Sequence, residues 1–412
     1  MQHSTTFSND RGRPMRTAAA AAAMMLVLAC AAPADAQLFG VTDAEKRAPG
    51  WVVTPRVSFG LSYDDNPVLA GGGNPTPNDT IGVLGPALNL AYTAKRTQLD
   101  FGYSGSLVRY RTLGEFDSFE QRGRMDLRHQ ASKRTSLQFT NSYAKAPTTD
   151  ATDVGGVPFL RTGTEQFDLR GGFTADASPR LAVIGSYGYQ WAEFDRPDDE
   201  RAALLQGGQM HSAVMGATYA LNGRMRVGGN YTFRRAIVGH IEEEAFNIQD
   251  GEGTVAYRLS PTMTLQGGLG LSRLSLPDEF GARLGPSARV SLHQRTPHAS
   301  YSLSFMHSFV PAFGIGGSLR NSELAGHVRV PLARRVDLQT DVTWREATPV
   351  IEGELGLSAL WIETTVGYAV HRWLRVQGFY SRAYSDTPVA GGRVDRNRVG
   401  VQIVTLRPLR IQ

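Results

Sequence analysis

From Trp51 to the end of the chain, apolar and polar side chains alternate strictly, in segment after segment. Val57, Phe59, Leu61 and Tyr63 alternate with Ser58, Gly60 and Ser62. Leu99, Phe101 and Tyr103 alternate with Gln98, Asp100, Gly102 and Ser104, and Met225, Val227, Tyr231 and Phe233 with Arg224, Arg226, Asn230 and Thr232. The pattern returns around Leu137, Leu269, Leu303 and Leu338. A period of two belongs to strands, because successive side chains point to opposite faces of a sheet. Strands with one apolar and one polar face are therefore required almost throughout. Glycine, at 45 of 412 residues, also disfavours helix.

The breaks between segments fall into two classes. Short ones carry hairpin-turn residues, as at Ser132-Lys133-Arg134, Asn222-Gly223, Ser260-Pro261-Thr262 and His371-Arg372. Longer ones are rich in Gly, Pro and acids, as over Asp64 to Asp79, Thr148 to Leu160, Asp195 to Gln206, Val238 to Glu244 and Asp386 to Gly392. Eight short turns interleaved with nine longer loops predict about 18 strands, with 16 as the alternative count. A soluble sandwich would bury the apolar face, but it has no use for so many long strands, and an open sheet would leave edges. Closure removes them. The expected fold is all-β: a closed antiparallel transmembrane β-barrel, apolar face to lipid and polar face to the lumen, with short periplasmic turns and longer extracellular loops. Aromatics near strand ends, among them Trp51, Tyr63, Tyr110, Trp191 and Trp344, suit interfacial girdles.

Residues 1–36 read as a secretory signal peptide, with Met15 as an alternative start. Arg16 gives the positive region, Ala18 to Ala29 the apolar region, and Ala34-Asp35-Ala36 a cleavage site between Ala36 and Gln37. Cys30 admits a lipoprotein reading; if cleavage follows Ala36, the mature chain has no Cys and no disulfide. Residues 37–50 would form a short periplasmic segment, and 51–412 a single barrel in the cell outer membrane. A formal charge of +5, from 43 basic and 38 acidic residues, is too mixed for a nucleic-acid-binding tail.

The segments PRVSFGLSYDDNPVLAGG (Pro55 to Gly72), NDTIGVLGPALNLAY (Asn78 to Tyr92) and TQLDFGYSGSLVRYRT (Thr97 to Thr112) resemble the outer-membrane β-barrel porin 2 family. The sharp matches are Tyr63-Asp64-Asp65-Asn66 at the end of the first strand and Pro86 within the second. The resemblance implies a barrel that passes exopolysaccharide or capsule polymer across the outer membrane, and no catalytic residues. Implied partners are outer-membrane lipid and lipopolysaccharide, the outer-membrane assembly machinery and periplasmic polysaccharide-export components. One departure is the C-terminus, which ends on Gln412 where bacterial barrels usually end on an aromatic.

Parity nominates lumen-lining residues: Arg122, Arg124, Arg128, Arg170, Arg224, Arg226, Arg234, Arg283, Arg289, Arg329, Arg335, Arg345, Arg375 and Arg398, with Asp168, Asp337 and Asp341. An excess of arginine would favour anions such as acidic sugars. The alternative is that each Arg pairs across strands with an acid and braces the wall. Asp64, Asp65, Asn66 and Asp79, and Glu242-Glu243-Glu244, could hold a divalent cation but read more simply as solvated loop charge. The nine His are dispersed, without metal-ligand spacing, and no Gly-x-Ser-x-Gly elbow occurs, so no cofactor, metal or enzymatic site is expected. Three functions stay open: a passive or gated channel, a structural or adhesive barrel with ligand-binding loops, and a barrel enzyme.

Overall fold

In the computed structural model the described residues are 49–71, 76–148, 161–195, 205–239, 244–277, 281–314, 316–351, 355–387 and 392–411. The signal segment with Ala36 and Gln37, Cys30, Glu242, Glu243, Glu354 and Gln412 lie outside them.

The alternating segments become strands. They are β1 (Gly50–Asp64), β2 (Asp79–Thr93), β3 (Thr97–Tyr110), β4 (Ser118–Gln130), β5 (Thr135–Pro147) and β6 (Gly163–Asp176). There follow β7 (Leu181–Phe194), β8 (Gly208–Ala220), β9 (Met225–Val238), β10 (Glu244–Ser260), β11 (Met263–Ser275) and β12 (Ala282–Arg295). The last are β13 (Ser300–Pro311), β14 (Ser318–Ala333), β15 (Val336–Pro349), β16 (Leu357–His371), β17 (Leu374–Thr387) and β18 (Gly392–Leu406). Arg407-Pro408 interrupts the line, and β19 (Leu409–Ile411) resumes it along β1. Proline has no N–H to give a ladder, which accounts for the gap.

Each strand pairs antiparallel with its sequence neighbours, and β1 pairs with β18 from Arg56↔Leu406 to Asp64↔Arg398, so the 18-strand sheet closes on itself. Closure satisfies the backbone without edges, the condition for crossing a bilayer with strands. Strands of about 14 residues at roughly 3.3 Å each run some 46 Å, enough to cross the hydrocarbon core at a tilt. Short turns gather at one end, with Gly50 and Ile411, and long loops at the other. Both classes of break fall as the alternation predicts.

The outward face carries exposed apolar side chains, including Phe59, Leu61, Tyr187, Met215, Leu269, Leu271 and Val401. Tyr110 departs from the girdle expectation. It is buried, pairs with Ile81, packs with Val108, and stacks edge-on to Phe116 at 6.1 Å, beneath the Arg161 guanidinium at 5.0 Å. Tyr110 shares the inward parity of Ser104, Ser106 and Val108, so being aromatic and near a strand end did not place it on the lipid face.

Candidate functional site inside the barrel

The register places the sequence-nominated residues on the inward face. Arg122, Arg124 and Arg128 of β4 lie opposite Ser104, Gly102 and Gln98. Arg170 and Asp168 of β6 lie opposite Thr140 and Ser142, and Arg226 and Arg234 of β9 opposite Ala256 and Ile248. Arg283 and Arg289 stand on β12, Arg329 on β14, Asp337, Asp341 and Arg345 on β15, Arg375 on β17 and Arg398 on β18. Arg224 and Arg335 fall in the short turns before β9 and β15, exposed at the rim.

These arginines divide into two groups. One group braces the wall. Arg234 meets Asp250 at 2.5 Å, Arg345 meets Glu323 at 2.6 Å, and Asp337 takes Arg375 at 2.7 Å and Arg329 at 3.7 Å. Arg124 lies 3.3 Å from Asp126 and 3.9 Å from Asp100, and Arg122 lies 4.0 Å from Glu120. Arg398 donates to Ser62 Oγ at 3.1 Å, and Asp341 bonds His327 Nδ1 at 2.6 Å. Asp250, Glu252, Glu323 and Glu363 also face inward, and parity reading left them out, so the basic excess is smaller than the sequence suggests.

The second group is Arg128, Arg170, Arg226, Arg283 and Arg289. All are inward-facing yet exposed, and among the described residues none has an ion-pair partner. A guanidinium that points inside a barrel and remains exposed must reach open volume there. Among the described residues, interior charge that is both accessible and without an ion-pair partner is therefore mostly positive, Asp168 and Asp176 being the exceptions, and suited to anions.

Toward the long loops the inward face changes character. Ala236 and Val238, Phe246 and Ile248, and Leu274 replace polar residues there and are almost fully buried. They join Ala192, Phe194, Leu205, Met210, Phe309, Phe313, Leu69 and Val394 in one connected apolar cluster. Its members come from β7 to β11, from the end of β13 and the β13–β14 connection, from the β1–β2 loop and from β18, so the cluster reaches across the barrel's interior. Two insertions build it. Pairing of β12 with β13 stops at Ala288↔His307, and beyond that point β13 leaves the wall. Phe309 then lies over Gly285 of β12, where an added Cβ would come within 2.9 Å of the ring. Phe313 seats against Gly208 of β8, and Gly314 N–H donates to the Gln206 carbonyl at 2.8 Å. The second insertion is Leu69.

The Tyr-Asp-Asp-Asn motif explains how Leu69 is held. Asp64, fully buried, grips Arg396 of β18 at 2.5 Å. Asp65 accepts from the backbone and side chain of Asn397 at 2.6 and 2.8 Å. Asn66 brackets the loop: its amide donates to the carbonyls of Ala70 and Asp395 at 2.9 and 3.0 Å, and its side-chain oxygen accepts from Ala70 N–H at 2.8 Å. This bracket keeps Leu69 at φ 58°, a left-handed conformation unfavourable for leucine, with its side chain in the cluster. Asp79 takes N–H groups of Thr80, Thr112 and Leu113 at 2.7 to 2.9 Å. The reading of these acids as solvated loop charge is therefore wrong. Spacing alone does not reveal that their partners lie on another strand and in another loop.

No curated protein matches the chain. Among solved structures the barrel is similar to OccAB4 of Acinetobacter baumannii, at 8% identity over 88% of this chain and 100% of that one, with a TM-score of 0.46. It is also similar to OpdQ of Pseudomonas aeruginosa, at 8% identity over 87% of this chain and 98% of that one, with a TM-score of 0.45. A family model described as "Putative beta-barrel porin 2" matches residues 46–231, which run from before β1 into β9. With the closed barrel and its outward apolar face, this makes the protein an outer-membrane β-barrel whose architecture points to a channel rather than an enzyme. The first half of the barrel carries the signature of the β-barrel porin 2 family, as its opening strands led one to expect.

Proposed function

We propose that the protein is a gated outer-membrane channel for an acidic exopolysaccharide or capsule polymer. The observation that carries this reading is the set of exposed arginines on the inward face that have no ion-pair partner among the described residues, Arg128, Arg170, Arg226, Arg283 and Arg289. Spread over β4, β6, β9 and β12, they offer successive guanidinium forks to carboxylates on a passing chain, and no single one binds tightly enough to stop it. The apolar cluster on the loop side is the gate. A charged polymer cannot enter a dry apolar layer, so passage requires the β13–β14 connection to withdraw.

The same cluster favours a second reading, a permanently sealed structural or adhesive barrel whose loops bind ligands. Planar-bilayer recording separates the two. The channel reading expects small or rare openings from the native barrel, and a large stable conductance once Phe309 and Phe313 are both replaced by Gly. A correctly folded double variant that stays silent would sink it and leave the structural reading. The polymer assignment is tested separately, by block of the open variant with a polyuronate and no block with a neutral glucan of equal length.

A further inference from the structure

Two features of the outer wall meet on one sector, and neither is needed to close the barrel. The first is a largely apolar groove of about 1010 Å³ over β5 to β10, whose lining also takes in the inward-facing Asn230 and Glu252. Phe173, Tyr187, Met215 and Tyr231 rise beside it, and small residues such as Gly185 and Ala213 form its floor. Those four large side chains belong to the exposed outward face, so the groove opens to the bilayer. The second is a polar row immediately on its loop side. His211, Arg235 and Asn247 are direct neighbours across β8, β9 and β10, and Arg273 of β11 sits opposite Gln249. Arg235 and Arg273 are exposed and, among the described residues, without an ion-pair partner. Tyr187 ties the two features together, since its hydroxyl bonds His211 Nδ1 at 2.6 Å while its ring borders the groove.

We propose that this sector is a specific binding site for one phosphorylated, acylated lipid of the leaflet on the loop side. Two guanidinium groups flanking β10 would hold phosphate oxygens, which they match in a forked geometry that an ammonium cannot offer. The groove would take an acyl chain of the same molecule. From Tyr231 to Arg235 is four residues, about 13 Å along the strand at roughly 3.3 Å per residue, which suits the step from headgroup phosphate to the upper part of a chain. Neither feature alone selects an occupant. Exposed arginines meet any anion, and any hollow in the wall meets hydrocarbon, but their adjacency fits an amphiphile carrying both.

Native mass spectrometry of the full barrel in detergent tests this, using diphosphoryl lipid A, its dephosphorylated form and phosphatidylethanolamine as probes. A single retained diphosphoryl lipid A is expected, with the other two at least tenfold weaker. R235Q/R273Q should lose the preference for the phosphorylated probe, and A213F, which fills the groove, should weaken binding at least tenfold. R382Q, on the outward face of β17, should bind as the native barrel does. Heat-modified gel mobility establishes that each variant is folded. Equal retention of the dephosphorylated probe, or native-like binding by R235Q/R273Q or by A213F, would overturn the site. So would a lipid-free dimer that A213F abolishes, because the groove's occupant would then be a second copy of this chain.

Discussion

A single buried ion pair shows how much the closure of this barrel rests on few side chains. Asp64 and Arg396 are 0% and 5% exposed, and their residues stand 332 positions apart. Removing one partner strands the other charge inside the wall, at a typical cost of about 3–5 kcal/mol. Asp64→Ala is therefore expected to lower the urea midpoint of the folded barrel, and Asp64→Ala/Arg396→Met to recover most of the loss. A lone Asp64→Ala barrel of native stability would contradict the clasp. Outside the wall, Asp117 in the β3–β4 connection is held below the usual carboxylate range, first by the Tyr110 N–H and then by Arg109. A lowered folded pKa means stability present above the unfolded value of about 3.9 and lost as pH falls through the lower folded one. The Tyr110 amide should accordingly gain hydrogen-exchange rate, relative to neighbouring strand amides, below about pH 4. Asp117→Asn should remove that dependence.

At the scale of elements, the end of β13 and the β13–β14 connection lie inside the barrel because small residues on other strands make room for their rings. Gly285 takes Phe309, and an alanine there would put its methyl carbon 2.9 Å from the ring. Gly285→Ala should destabilise by about 1–3 kcal/mol and raise the frequency of channel openings in the same bilayers, with Gly251→Ala, which meets open space, as the neutral comparison. Strand number and both classes of connection were legible in the sequence because every strand repeats the same binary pattern and every break carries its own turn chemistry. The apolar cluster was not. Val238, Ile248 and Leu274 share the inward parity of Arg234, Asp250 and Ser272. An apolar residue on the polar parity looks like noise until the other side of the cylinder is known. At Arg235-Ala236-Ile237-Val238 the alternation loses contrast, and at Phe246-Asn247-Ile248-Gln249 it inverts, the local signals of the buried layer.

For the whole molecule, the charge pattern is layered. Exposed guanidinium groups occupy the middle and the turn side of the interior, except for Arg283, which stands opposite Leu274 at the dry layer on the loop side. If the arginines set the field in the aqueous part, reversing Arg224, Arg226 and Arg289 to Glu should shift the reversal potential of the open Phe309/Phe313 variant toward cation preference. Arg224 stands at the rim, so Arg226 and Arg289 should account for most of the shift. An unchanged potential would show that the interior selects by size. Parity was enough to nominate the arginines. It could not sort them into braced and free, because an arginine's partner is fixed by which strand lies beside it and at what register.

The clasp at the seam also has a consequence in time. The Asp-Asp-Asn segment leaves the ribosome early, 332 residues ahead of Arg396, and its partners Asp395, Arg396 and Asn397 come late. Until the final hairpin arrives, two carboxylates and an amide near the mouth of the nascent sheet have nothing to hold, and Leu69 has no reason to adopt its unfavourable conformation. The seal and the last strand are therefore acquired together, at the end of a search over a separation of 332 residues. A barrel that has sealed itself is one that has finished.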